Sequence, residues 1–208
     1  MGVISNGTTL LDSGSLSSGL TGAMTHIKTI TASSSGTVQF QDGTSSVVLD
    51  NTYPIYLFKF INIHGATDDK KFEFQANAAG GSGYNETITT TNFQSYHRED
   101  DGANGLGYNS GYDNQQTTDH QEISGPLSND NDASFSGELY IFNPSDTTFV
   151  THFMATGHGM EAGTSKVSTQ LHTAGYFNTT SAVDEFQFKF NSGNIDSGTV
   201  KLYGIKDS

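Results

Sequence analysis

Asp184-Glu-Phe-Gln-Phe-Lys-Phe-Asn191, followed by Ser192-Gly-Asn-Ile-Asp-Ser-Gly198 and Thr199-Val-Lys-Leu-Tyr-Gly-Ile205, is the stretch whose reading decides the fold. Phe186, Phe188 and Phe190 alternate with Glu185, Gln187 and Lys189. That two-residue period belongs to a strand with one face buried against a second layer, and a helix cannot satisfy it. With Gly193 and Gly198 bracketing a turn, the whole stretch reads as one β-hairpin that completes a sheet.

Composition agrees with a sheet protein. Only 33% of the 208 residues are hydrophobic, and they are spaced singly among Gly, Ser, Thr and Asn, which suits a thin two-layer sandwich. The 14 Phe and 9 Tyr argue against disorder, because disordered chains are poor in residues that nucleate cores. The length suits a single domain that buries a full core without metal or disulfide support. Nine Lys plus Arg against 22 Asp plus Glu leave a charge of −13, which repels a polyanion and excludes nucleic acid as a partner. No Cys is present, so neither a disulfide framework nor a thiolate nucleophile is available. Met1 is followed by Gly-Val-Ile-Ser-Asn-Gly-Thr, without a basic or an apolar signal region, and no apolar run reaches spanning length. Neither signal-peptide secretion nor membrane insertion is expected.

Strand signals recur at 26–32, 37–41, 46–49, 53–63, 70–76, 86–96, 119–124, 135–142, 148–155, 167–176, 184–191 and 199–205. The run 53–63 is apolar on both faces and reads as a central strand covered on both sides. The predicted fold is therefore all-β, an antiparallel sandwich over residues 25–208. Residues 1–24 read as an extended N-terminal arm: Val3, Ile4, Leu10, Leu11, Leu16 and Leu20 dot a polar, Gly-rich segment and offer docking area to a partner surface. Residues 97–118 are too long and polar for a tight turn. A loop of this kind is a candidate contact surface, led by Glu99, Asp100, Asp101, Tyr108 and Tyr112.

No catalytic constellation stands out. Asp100 and Asp101, and likewise Asp130 and Asp132, could give hard oxygen ligands to Ca²⁺, but the EF-hand spacing is absent and Asx residues capping their own turns produce the same pattern. No cofactor is expected beyond that ion. His152 and His158 are evenly spaced, yet Gly157 and Gly159 suggest that the strand has ended between them. Gly80-Gly-Ser82-Gly-Tyr84 lacks the last Gly of a nucleophile elbow. Glu73, Glu86, Glu122, Glu138 and Glu161 offer carboxylates for glycoside cleavage, as any acidic β-protein does. Trp is absent, leaving Tyr84, Tyr96, Tyr108 and Tyr112 as platforms for a sugar.

Four strings carry a resemblance: Ile4-Ser-Asn-Gly-Thr-Thr9, Tyr84-Asn-Glu-Thr87, Ala174-Gly-Tyr-Phe-Asn-Thr-Thr180 and Ser192-Gly-Asn-Ile-Asp-Ser-Gly-Thr-Val-Lys-Leu-Tyr-Gly-Ile205. The chain resembles virion structural proteins of marine bacteriophages, cyanophages among them, and the last string is similar to one that closes phage fibre and appendage proteins. The resemblance implies a jelly-roll-like sandwich without catalysis, made in the host cytoplasm and placed at the virion surface. Its partners would be other virion proteins, tail or capsid, reached through the N-terminal arm, together with a host surface glycan or protein. By analogy it would be a homo-oligomer, a trimer. A tail fibre or appendage subunit for host attachment is the leading expectation. A capsid decoration protein bridging capsomers and a carbohydrate-binding module or glycan-degrading enzyme are the alternatives.

Overall fold

A computed structural model describes residues 3–6, 8–12, 15–16 and 22–206 of the chain. Among the described residues no helix forms, and none is long and apolar enough to cross a membrane. The strands are β1 (Val3–Ser5), β2 (Thr8–Asp12), β3 (Ser15–Leu16), β4 (Met24–Ser35), β5 (Val38–Gln41), β6 (Ile55–Gly65), β7 (Phe72–Ala78), β8 (Ile88–Arg98), β9 (Asn104–Tyr108), β10 (Gln115–Thr117), β11 (Gln121–Glu122), β12 (Phe135–Phe142), β13 (His152–Glu161), β14 (Val167–Phe177), β15 (Val183–Phe190) and β16 (Ile195–Ile205).

They form an antiparallel sandwich. The large sheet runs β10-β8-β14-β13-β12-β6-β16-β4, with β9 also on the outer edge of β8, and the small sheet runs β11-β7-β15-β5. Within these, β4-β16-β6-β12 faces β5-β15-β7-β11, and the chain passes back and forth between the two layers, the jelly-roll-like wrap. Two insertions widen it. The β13–β14 hairpin lies between β12 and β15 in sequence, and the β8–β10 excursion lies between β7 and β11; they meet where β14 pairs with β8.

The aromatic run of β15 faces inward as its period requires: Phe186, Phe188 and Phe190 are buried, while Glu185, Gln187 and Lys189 point to the other side. Phe188 is the hub of the core. Its ring lies 5.0 Å from that of Phe58 and 5.1 Å from that of Phe60, with Phe40, Phe72 and Phe74 also in ring contact, mostly edge to face or tilted.

The hairpin reading of 184–205 is corrected. β15 pairs with β5 and β7, whereas β16 pairs with β4 and β6, so the chain changes layers at residues 191–194. Gly193, at φ 80°, makes the turn that a hairpin would also need, but here it makes a sandwich corner. Residues 46–49 form no strand; Ser45 and Ser46 take positive φ, and Val47 and Leu49 are buried from an irregular loop. β13 runs straight through Gly157 and Gly159 to Glu161, so His152 and His158 do share a strand. The glycine at 157 is a packing requirement, since a Cβ there would sit 2.3 Å from the ring of Phe135. β6 is central, between β12 and β16, but its outer side is covered only at Leu57 and is open at Ile61.

The N-terminal segment is more than an extended arm, because β1, β2 and β3 pair as a small antiparallel sheet of their own. Val3 and Ile4 are exposed, Leu10 and Leu11 fall on β2 and Leu16 on β3, and Leu20 lies outside the described residues.

Candidate functional site

The outward face of the small sheet carries a polar row at each register level. Glu122, Glu73 and Lys189 stand side by side on β11, β7 and β15; Gln75 neighbours Gln187, and Asn77 neighbours Glu185. Such side chains ordinarily meet solvent, yet Gln75, Asn77 and Glu73 are buried, because two loops fold over them. The Gln75 amide nitrogen faces the carbonyl oxygens of Glu86 (3.0 Å), Thr118 (3.2 Å) and Asp119 (3.1 Å). Asn77 accepts from the Tyr84 N–H at 2.6 Å and donates to Glu185 at 2.8 Å. On the other side Gln121, fully buried, accepts from Thr90 Oγ1 (2.7 Å) and Asn114 Nδ2 (3.0 Å) and donates to the Tyr112 carbonyl (2.8 Å). These amides satisfy loop backbone that would otherwise be buried unpaired, and so fix both loops in place.

Between the loops lies an open cleft of about 540 Å³. Glu73, His120 and Glu122 line its sheet side; Tyr84 and Asn85 come from one loop, Tyr112, Asp113 and Asn114 from the other. Glu122 receives Lys71 Nζ at 2.7 Å and Glu73 receives Lys189 Nζ at 3.1 Å. Lys71 also sits 4.3 Å above the Tyr112 ring, a cation–π contact that orients the ring. Burial raises the Glu122 carboxyl above its usual range, opposed by its hydrogen bond from Lys71. Burial likewise pushes the Tyr112 hydroxyl up, reinforced by the charges of Glu161 and Glu122, and lowers His120, opposed by the Gln187 amide. Glu73 and Glu122 are thus neighbouring carboxylates, but each is held in an ion pair.

Of the residues expected to form a contact loop, Tyr112 lines this cleft and Tyr108 donates to Asp113 at its rim. Tyr108 itself lies on the exposed edge strand β9, which the sequence presented as loop. Glu99, Asp100 and Asp101 sit elsewhere, in the turn from β8 to β9. Asp100 is held by Ser165 Oγ (2.6 Å) and Arg98 Nη2 (2.7 Å), and Asp101 lies 3.1 Å from His97. The Ser165 hydroxyl, then the Gly102 N–H and Arg98, keep the Asp100 carboxyl below its usual range. Asp130 is paired with Lys166 at 2.5 Å and lowered by it, while Asp132 lines a separate polar hollow with His64 and Asp196. Both acidic clusters flank residues 162–166, but cationic side chains stand against Asp100 and Asp130. Among the described residues no three His, Asp or Glu side chains gather as a metal site.

The opposite face of the sandwich is of another kind. The nine strands of the large sheet contain only three of the chain's 22 carboxylates, Glu138, Glu161 and Asp196, but six of its seven histidines. Thr91, Ala174, Met154, Tyr140, Leu57, Tyr203 and His26 form one uncharged row across seven strands. Thr89, Tyr176, His152, Phe142, Ile55, Ile205 and Met24 form a second. The next row begins with Phe93 stacked on His172 at 4.7 Å and contains Glu138 against Lys59 at 3.8 Å. Phe93 is 48% and Met154 55% exposed, far more than a sandwich needs of its outer residues. Sequence reading missed this face, because its members lie on seven strands spread from residue 24 to residue 205.

No family model, curated protein or solved structure matches the chain.

Proposed function

We propose that the chain is a non-enzymatic structural subunit of a bacteriophage particle, a tail fibre or appendage protein displayed at the virion surface for host attachment and assembled with copies of itself. Assembly is supported by the aromatic, methionine and histidine face of the large sheet, two rows of which are uncharged in a chain of charge −13, and the virion placement by the resemblance of residues 192–205. Charge depletion with aromatic and Met enrichment is the signature of an interface core. Seven strands span about 29 Å and the two uncharged rows about 13 Å, so the uncharged centre offers roughly 400 Å², about half of the ~800 Å² per partner of a standard interface, and the row of Phe93, His172, Glu138, Lys59 and Lys201 borders it as a rim. A second copy fits it, since two chains of charge −13 repel through their acidic surfaces and can meet with least opposition at a face without carboxylates in its two central rows. Binding rather than turnover is supported by Glu73 and Glu122, the two adjacent carboxylates of the cleft, each of which is engaged by a lysine, Lys189 and Lys71.

Analytical ultracentrifugation of the whole chain tests the assembly, with Met154→Glu as the disrupting variant. The expected result is an oligomer that dissociates when a carboxylate is set into the middle of the uncharged row. A monomeric parent protein, or an oligomer indifferent to Met154→Glu, overturns it. Antibody labelling of purified particles tests location: signal at the tail vertex supports the fibre, signal over the icosahedral shell supports decoration, and no signal removes the virion reading.

A further inference from the structure

We propose that the cleft between the 79–87 and 109–120 loops binds an uncharged saccharide. This deepens the attachment reading above and rests on it for where the saccharide is carried, though not for whether it is bound. The walls are preformed, because buried Gln75, Asn77 and Gln121 hold both loops through their backbones, so little ordering would oppose binding. Its lining is chemically narrow. Planar polar groups at Asn85, Asp113, Asn114 and Asp119 stand with the rings of Tyr84 and Tyr112, and there is no apolar pocket for a peptide side chain.

A sugar ring asks for that mixture: vicinal hydroxyls that donate to carboxylate oxygens and accept from amides, and a C–H face that lies against an aromatic ring. Asp113 accepts one bond from Tyr108 and Asp119 one from Thr117, and a carboxylate has about four acceptor sites, so each keeps capacity for a ligand hydroxyl. The exposed Asn85 amide supplies both donor and acceptor at the rim.

Charge sets the class. Four lining carboxylates, Glu73, Asp113, Asp119 and Glu122, face two lysines, Lys71 and Lys189, leaving an excess of two negative charges. Uronates, sialic acids and phosphorylated sugars are repelled, while an uncharged hexose or N-acetylhexosamine loses nothing to that field. The lysines spend their charge on Glu122 and Glu73, so they are not free to recruit an anion.

The test is an array of uncharged hexose and N-acetylhexosamine oligosaccharides beside uronate, sialylated and amino-sugar counterparts, read with the purified full chain, then calorimetric titration of the best uncharged probe. Tyr84→Ala should abolish that binding and Asn85→Ala weaken it roughly tenfold, the loss of about one ligand hydrogen bond. Tyr84→Phe should retain it, which controls for folding of the loop, and Phe93→Ala on the far face should leave it unchanged. No uncharged probe bound, preference for a charged sugar, or affinity that ignores both Tyr84→Ala and Asn85→Ala would overturn the site. Particle labelling separates the two ideas: labelled virions with a sugar-blind protein sink the cleft alone, and a sugar-binding chain that labels no particle sinks the virion reading alone.

Discussion

The two sheets turn opposite chemistries outward. The back of the large sheet carries two rows of uncharged side chains running from β8 to β4, most of them reaching solvent, beside a third row that holds Glu138, Lys59 and Lys201. The back of the small sheet is a row of amides and ion pairs that two loops have covered. Loops bring backbone carbonyls with them, and carbonyls under cover need donors, so Gln75 is polar on the back of the small sheet where the large sheet has Ala174 and Met154. The difference shows how one wrap can serve two tasks. The β13–β14 insertion widens a sheet and so extends a face, while the β8–β10 insertion carries 109–118 across the open edge of the sandwich and so builds a cleft.

Both faces depend on one aromatic core, and removing its hub is the largest way to break the comparison. Phe188→Ala should cost about 3–5 kcal/mol, the range for large-to-small changes at fully buried aromatics, in urea unfolding. A loss under about 1 kcal/mol would mean that the two layers do not share this core.

The next effect separates the faces. Gln75→Leu strands three loop carbonyls and should cost about 1–3 kcal/mol, with faster hydrogen exchange confined to 79–87 and 109–120. Met154→Glu on the large sheet should shift monomer stability by no more than about 0.5 kcal/mol, as surface changes do, while acting on assembly. Equal costs at the two positions would erase the distinction.

The smallest effect is titration. Burial lowers His120 below the ordinary histidine value of 6.5, so the folded protein resists the proton that the unfolded chain accepts. Its contribution is therefore fully present above that pH and is lost as pH falls from there through the lower folded value. Glu122 and Glu161 are raised by burial and act oppositely, strengthening the fold as pH falls and losing that contribution as pH rises through their folded values. His120→Gln should remove the part of the decline that begins near 6.5, measured as denaturant midpoint against pH; an identical profile in the variant would show that the imidazole is free in solution.

Much of the architecture was legible. The period of Phe186, Phe188 and Phe190 names a buried face, and the all-β sandwich follows from it. The same period says nothing about which strand lies alongside, and Asn191-Ser-Gly193-Asn suits a corner as well as a hairpin, so the local pattern joins β15 and β16 in one sheet where the fold parts them between two. The cleft was legible only in fragments. Tyr112 stood in a long polar loop, but Glu73 and Glu122 meet through strand pairing that no local pattern encodes, and Gln75 between Phe74 and Ala76 looks like any solvent-facing residue until a loop arrives over it.

The layer change at 191–194 has a consequence for how the polypeptide is made. β16 lies between β4 and β6, joining Val200 to Ile30 on one side and to Phe60 on the other. During synthesis β4 emerges early and must wait, edge bare, until residues 195–205 leave the ribosome and slide between two strands already translated. The strand that zips the large sheet shut arrives after all the others, which makes assembly slow, dominated by distant pairings, and exposed to mispairing while the gap stands open.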